Sequence, residues 1–380
     1  SHQPIRLRST RVERLLGLRL DDQVVGDILR RLDLEVETGA GEWRVIPPSF
    51  RFDISMEDDL IEEVGRVHGY GALPSRRPLV GLGIGERTEA DLAPHRVKSL
   101  LVDRGYHEVI TYSFVSPELQ AALDPEHPPI PLANPISSDL SVMRTSMLPG
   151  LVSALQQNLA RQQSRARIFE TGLVFRSTDD GLRQTAKLGA LVCGDANGEQ
   201  WGLAARPVDF YDLKGDLQAL LDLGGRRDAF AFERADHPAL HPGRSARILA
   251  DGDPVGWIGG LHPNVERRLE LGRRVYVLEV DLSAVMHARV PSFSELSRFP
   301  AIRRDLALVV DESVSSQQVL NCINEIDSDL IRDTQYFDVY RGPGVDAGLK
   351  SLAMGLIVQA DSLTLTDEHV EKIIQRVVEH

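Results

Sequence analysis

The order of apolar and polar positions divides the chain into three segments. In the first, to about Arg77, Val24, Val25, Ile28, Leu29 and Leu32 recur at helical spacing. Leu34-Glu-Val-Glu-Thr38 then alternates as a half-buried strand does, Gly39-Ala-Gly41 turns the chain, and Trp43-Arg-Val-Ile46 returns it, stopped by Pro47-Pro48. Ahead of these, Thr10-Arg-Val-Glu13 has the spacing of a capping box, in which a Thr hydroxyl and a Glu carboxylate satisfy free N–H groups at a helix start. Gly17 predicts a left-handed cap ending that helix, and Asp21 or Asp22 caps the next. Helices followed by a two-stranded wing predict a small winged-helix-like module over residues 1–77.

In the middle segment, 78–290, helices are predicted over 94–104, 147–162 and 209–222. Strands are predicted over 109–115, 167–176, 188–193, 245–250, 255–260 and 276–281, with Asp251-Gly252 as a hairpin turn. Strands outnumber helices and do not alternate with them, so the expected fold class is α+β, built on a layered antiparallel sheet rather than a doubly wound parallel one. The third segment, 291–380, reads strand, helix, strand, strand, helix. Its elements are an apolar strand over 306–310, a helix capped by Ser315 or Ser316, strands over 335–340 and 351–358 around Gly342-Pro-Gly344, and a final helix striped by Val370, Ile373, Ile374, Val377 and Val378. That is the ferredoxin-like βαββαβ order with its last strand missing.

Composition narrows the class. With 42 % hydrophobic and 26 % charged residues the chain is ordinary globular protein, not disordered or collagen-like. No apolar run approaches the roughly eighteen residues of a bilayer span, and residues 1–9 lack the apolar stretch of a signal peptide. Cys193 and Cys322 lie far apart, which predicts no structural disulfide and a reducing, cytoplasmic setting. A net charge of −13 argues, by counting alone, against nucleic acid as a partner. The motifs argue otherwise.

The densest chemistry is Arg51-Phe-Asp-Ile-Ser-Met-Glu-Asp-Asp-Leu-Ile-Glu-Glu63. On a helix, Asp59, Glu62 and Glu63 share a face, and Asp53 precedes it. Four converging carboxylates call for a hard divalent cation, Mg²⁺ suiting a site that keeps waters; alternatively they are an acidic first turn complementing a helix dipole. Gly81-Leu-Gly-Ile-Gly-Glu-Arg87 lacks the Lys-Ser/Thr of a phosphate loop and reads as an interdomain loop. His237, His241 and His262 each adjoin a proline and read as loop residues rather than a zinc set. Tyr340-Arg-Gly-Pro-Gly with Lys350-Ser351 offers a flat ring at a strand end for an unpaired base, Arg341 and Lys350 for phosphates and Ser351 for a base edge; a plain hairpin is the alternative.

Taken in order, these stretches resemble the bacterial phenylalanyl-tRNA synthetase beta subunit. The resemblance rests on Phe50-Arg-Phe-Asp53 through Glu62-Glu-Val-Gly-Arg-Val-His-Gly-Tyr70, Leu132-Ala-Asn-Pro-Ile-Ser-Ser-Asp-Leu-Ser-Val-Met-Arg-Thr-Ser-Met-Leu-Pro-Gly-Leu151 and Arg167-Ile-Phe-Glu-Thr-Gly172. It continues through Val208-Asp-Phe-Tyr-Asp-Leu-Lys-Gly215, Leu240-His-Pro-Gly-Arg244, Phe299-Pro-Ala-Ile-Arg-Arg-Asp-Leu306 and Phe337-Asp-Val-Tyr-Arg-Gly342. It implies a DNA-binding-fold domain over 1–77, a non-catalytic module of class II synthetase type over 78–290 and a ferredoxin-fold anticodon-binding domain over 291–380. It further implies Mg²⁺ at Asp53, Asp59, Glu62 and Glu63, and stacking and base contacts at Tyr340 and Ser351, beside the Arg341 and Lys350 read above as phosphate-binding. The partners it implies are a catalytic alpha subunit that uses ATP, in an α2β2 heterotetramer, and tRNA(Phe). The family's N-terminal tRNA-binding and editing region is absent from this sequence, so a C-terminal segment without editing or catalysis of its own is expected. The other class of reading is a free-standing DNA-binding or protein-interaction module.

Overall fold

The computed structural model describes residues 3–75, 81, 88–293, 295–327 and 330–379, without the Asp327 side chain. The expected boundary at 77/78 and, apart from Gly81, the loop Gly81-Leu-Gly-Ile-Gly-Glu-Arg87 lie outside the described residues. Two compact units form, Ser1–Glu86 and Arg87–His380.

The first unit runs β1 (Ile5–Arg8), α1 (Ser9–Leu16), α2 (Asp22–Arg31), β2 (Glu35–Gly39), β3 (Glu42–Ile46) and α3 (Glu57–His68). The wing closes as expected, and β1 adds a strand that the pattern was too short to announce, giving an antiparallel sheet in the order β1-β3-β2. Gly17 is the left-handed cap, at φ 76° with its N–H on Glu13 O, and the Asp21 carboxylate accepts from Gln23 N. The Thr10–Glu13 capping box does not form, because α1 starts at Ser9 and Thr10 lies inside it. The residue before the helix, Arg8, donates its N–H to Glu57 Oε1 of α3 instead, at 2.8 Å. Leu7, Leu29, Trp43, Val45, Leu60 and Val64 make the core.

The second unit opens with α4 (Pro94–Asp103), β4 (His107–Glu108), β5 (Phe114–Val115), α5 (Pro117–Leu123), β6 (Val142–Met143) and α6 (Leu148–Ala160). There follow β7 (Ala166–Thr178), β8 (Gly181–Cys193), α7 (Phe210–Leu223), β9 (Phe230–Arg234), β10 (Leu240–Ala250), β11 (Asp253–Leu261), α8 (Pro263–Arg268), β12 (Val275–Asp281) and α9 (Leu282–Met286). A seven-stranded sheet results, in the order β4-β7-β8-β12-β11-β10-β9, antiparallel except at β4–β7. Asp251 and Gly252 make the expected turn, both with positive φ (51° and 89°), as a type I′ hairpin requires. The strand expected over 109–115 splits. Thr111 gives its N–H and hydroxyl to the Glu170 carboxylate (3.3 and 2.7 Å), which draws the chain off the sheet, and β5 pairs with β6.

Both faces of this sheet are covered. Phe169, Leu188, Leu278 and Val280 pack beneath α4, α7 and α9, with Val97, Leu101, Leu213 and Leu217. Alternate residues Ile168, Leu191, Val275 and Val277 pack beneath α5 and α6, with Leu123, Met147, Leu151 and Leu155.

The same unit ends in β13 (Ile302–Asp311), α10 (Ser316–Asp327), β14 (Ile331–Tyr340), β15 (Leu349–Val358) and α11 (Asp367–Glu379). These strands form an antiparallel sheet in the order β13-β15-β14, consistent with the ferredoxin-like order. Ser315 and Gln318 make a capping box: Gln318 N donates to Ser315 Oγ (3.2 Å) and Ser315 N to Gln318 Oε1 (2.8 Å). Leu352, Met354, Leu356 and Val358 of β15 pack with Val319, Ile323, Val370, Ile373 and Val377 of the helices. The intervening residues, Ser351, Ala353 and Gly355, point to the other face, which no helix among the described residues covers.

Candidate functional site

That open face gathers the expected RNA-contacting residues selectively. Tyr340 and Ser351 are direct cross-strand partners. The Tyr340 ring folds over Gly342, where a Cβ would stand 2.6 Å from the phenol oxygen, and its hydroxyl donates to Pro343 O at 3.1 Å. The ring is thereby pinned with 44 % of its residue surface free. Arg341, just past the strand, donates from Nε and Nη2 to the Glu312 carboxylate, with the shortest contact 2.7 Å. That guanidinium holds the Glu312 carboxyl below the usual carboxylate range. Lys350 corrects the sequence expectation. One residue before Ser351, it falls on the helix-covered side, is buried, and donates to Glu312 O at 2.8 Å. It is a structural cation, not a surface one.

Phe337 escaped the sequence reading. Strict alternation back from Tyr340 puts residues 338 and 336 on the open face, and so Phe337 under the helices. A β-bulge between Tyr336 and Asp338 shifts the register: Tyr336 faces the helices, donating its hydroxyl to Ser316 O at 2.9 Å, and Phe337 emerges 55 % exposed. Arg303 of β13 lies across Gly355, whose missing Cβ would sit 2.7 Å from Arg303 Nε, and places its guanidinium 5.6 Å from the Phe337 ring centroid. Two exposed aromatics of β14, one carrying a cation, therefore stand along the edge of this face, beside Ser351 and Ala353 of β15. Such a surface can stack unpaired bases.

The four carboxylates of the first unit do not gather as a cation cage. Asp53 binds Arg51 at 2.7 Å, and Arg51 also reaches Glu63 at 3.2 Å. Glu63, buried, is paired again with Arg66 at 2.6 Å. Both carboxyls are held below their ordinary range, chiefly by hydrogen bonds, Asp53 to Arg51 and Glu63 to Arg66. Asp59 accepts from Ser55 N (2.7 Å) and Met56 N (2.9 Å), capping α3, while Glu62 is exposed. Among the described residues no group of three or more His, Cys, Asp or Glu is placed to hold a metal. Arginine takes the neutralising role that a divalent ion was expected to fill, so as placed these residues do not fit Mg²⁺.

Within the large sheet, Arg167 and Glu170 are equally committed. Arg167 is buried against the Asp216 carboxylate of α7 and lies 4.6 Å over the Tyr106 ring. Asp216 also accepts from Arg104 (2.6 Å) and the Tyr106 hydroxyl (2.8 Å), and burial pushes that phenol well up. Glu170 accepts from buried Arg144 at 3.1 Å. Elsewhere a groove of about 840 Å³ is lined by Val109, Ile110, Tyr112, Phe114 and Pro149, with Ile110 almost fully exposed. No helix among the described residues is long and apolar enough to cross a membrane.

Comparison with known proteins divides the chain in the same sense as its sheets. The family model described as tRNA synthetase B5 domain matches residues 5–70, the phenylalanyl tRNA synthetase beta chain CLM domain 73–282, and the ferredoxin-fold anticodon binding domain 297–380. The phenylalanine–tRNA ligase beta subunit of Methylococcus capsulatus is 50 % identical over 375 residues, 99 % of this chain and 47 % of that subunit. That of Nitrosococcus oceani is 48 % identical over 373 residues, 98 % of this chain and 47 % of its own length. That of a Pseudomonas fluorescens strain is 47 % identical over 376 residues, 99 % and 48 % respectively. The chain spans about half the length of these relatives. It belongs to the phenylalanyl-tRNA synthetase beta chain family.

Proposed function

We propose that this chain serves the ATP-dependent charging of tRNA(Phe) with phenylalanine as a non-catalytic beta-subunit segment, in the cytoplasm. In this reading residues 291–380 bind the anticodon region, residues 78–290 scaffold a catalytic alpha subunit within an α2β2 assembly, and residues 1–77 are the small winged-helix-like domain. The observation that carries it is the pair of exposed aromatics, Tyr340 and Phe337, on the uncovered face of a sheet matched by an anticodon-binding family model. Tyr340 stacks on an anticodon base, Ser351 hydrogen-bonds its edge, and Arg341 exchanges Glu312 for a phosphate. The alpha subunit covers the apolar groove around Ile110, Tyr112 and Phe114; an exposed isoleucine beside stacked rings (centroids 5.0 Å) suits a protein interface. The catalytic inactivity of this segment is supported by Arg167, whose guanidinium is buried in an ion pair rather than free to grip a nucleotide. ATP is used by the alpha subunit.

Affinity for tRNA(Phe) tests the reading. Tyr340→Ala is expected to weaken binding by about 1–3 kcal/mol, the worth of one base–aromatic stack. Unchanged affinity removes Tyr340 from the site. Mg²⁺ at Asp53, Asp59, Glu62 and Glu63 would require the ion to take Asp53 and Glu63 from Arg51. Metal analysis of the purified chain, alone and with an alpha subunit, decides it. With the carboxylates paired as they are, no bound metal is expected; Mg²⁺ that disappears on Asp59→Ala with Glu62→Ala would reverse that.

A further inference from the structure

A second basic surface lies outside the open sheet. A cleft of about 1130 Å³ opens between the start of α7 and the ends of β8, β9, β10 and β12. Arg234, Arg244 and Arg274 line it; all three are exposed and, among the described residues, none has an acidic partner. Lys214 adds a partly buried ammonium 4.7 Å from the Phe232 ring centroid, its proton affinity lowered by burial and by Arg227. Two carboxylates line the cleft, Asp195 and Asp209, fewer than these cations. Asp209 caps α7 through Tyr211 N and Asp212 N, and Asp195 is exposed. Arg206, also in the lining, is paired with Asp212 at 2.6 Å. In a chain of net charge −13, one cleft thus holds an excess of positive charge. Crowded cations repel one another, and a polyanion relieves that repulsion.

Aromatic surface and position say which polyanion. Tyr211 stands at the cleft with three quarters of its surface free. Ser316, at the start of α10, lines the same cleft, and its carbonyl accepts from the Tyr336 hydroxyl of β14 at 2.9 Å. The cleft therefore adjoins the three-stranded sheet at β14. Planar guanidinium groups match phosphate oxygens, and an exposed ring beside them offers a stacking face.

We propose that this cleft binds the sugar–phosphate backbone of RNA, phosphates meeting Arg234, Arg244 and Arg274 and an unpaired base stacking on Tyr211, so that an RNA held on the open sheet continues into the large-sheet module. The inference rests on the tRNA-binding reading above but concerns a different set of residues.

The test is tRNA(Phe) affinity measured against salt concentration, for the chain alone and with an alpha subunit. Each phosphate contact contributes about 0.7–0.9 to the slope of log K against log salt. Arg234→Gln with Arg244→Gln and Arg274→Gln is expected to lower that slope by about 2–3 and to weaken binding roughly 10- to 100-fold at about 0.1 M salt. Tyr211→Ala is expected to weaken binding roughly 5- to 150-fold with the slope unchanged, because stacking releases no counterions. The substituted side chains are exposed, so thermal unfolding midpoints should stay near that of the parent chain. If the parent binds tRNA and neither variant differs from it, the cleft inference is overturned while the anticodon-face reading stands. If the triple variant keeps its tRNA affinity but no longer co-elutes with the alpha subunit, the cleft is a protein contact and the inference is again overturned. If the parent binds no tRNA in either form, the anticodon-face reading fails first and this one with it.

Discussion

The two sheets of the second unit are built from similar strands and used in opposite ways. The seven-stranded sheet is sandwiched: α4, α7 and α9 close one face, α5 and α6 the other, and its central strands read as nearly continuous apolar runs such as Val275–Asp281. The three-stranded sheet is covered once, and β13 alternates half-buried with exposed over its whole length. A sandwiched sheet has no open face left for a ligand, only its ends and edges. The difference teaches that in this chain an open sheet face is left where a layer is missing, while charged groups inside the sandwich, among them Arg144, Arg167, Glu170 and Asp216, are held by one another.

The sharpest way to break this contrast is Arg144→Ala. It strands Glu170 without its buried cation, and a loss of about 3–5 kcal/mol of stability is expected. Denaturant unfolding checks it; a change under about 1 kcal/mol would mean that Glu170 is not held as described. Phe337→Ala tests the other side. It should weaken tRNA binding by about 1–3 kcal/mol and leave stability within about 0.5 kcal/mol, as exposed positions do; equal losses in both would make Phe337 a packing residue. The smallest effect expected concerns pH. Burial holds the His237 imidazole below its ordinary value of 6.5, and its Nδ1 accepts from Ala239 N at 3.2 Å. Below about pH 6.5 the unfolded chain binds a proton that the folded chain resists, so stability falls as pH drops. His237→Gln should flatten the dependence of melting temperature on pH between about 7.5 and 5.5; a variant that tracks the parent clears His237 of the effect.

Most of the architecture was legible because it is written in periodicity. The helical stripes at Val24–Leu32 and Val370–Val378, the positive-φ turn at Asp251-Gly252 and the Gly17 cap all arise locally, and they appear where they were expected. What was not legible depends on partners distant in sequence. Thr10 could not be known to lie inside a helix whose preceding residue, Arg8, gives its N–H to Glu57, nor 110–113 to leave the sheet where Thr111 bonds Glu170. The candidate site divides the same way. Tyr340 and Ser351 share a face by alternation alone. Phe337 was hidden by one extra residue in β14, and the pairing of Arg51 with two of the carboxylates expected to hold a metal depends on side-chain packing that spacing does not show. The charge total of −13 says least about the surface, since it averages over a basic cleft.

The clamp at Glu312 has one more consequence. One residue restrains two cations, Arg341 through its carboxylate and Lys350 through its carbonyl. A visiting phosphate cannot simply be drawn to Arg341; it must outbid a resident acid, and on winning it leaves a bare negative charge beside itself. Weak or badly aligned anions lose that contest, while one already anchored by its neighbours wins it. If Arg341 meets a phosphate as proposed, the hairpin would favour a strand held at several points over loose ions.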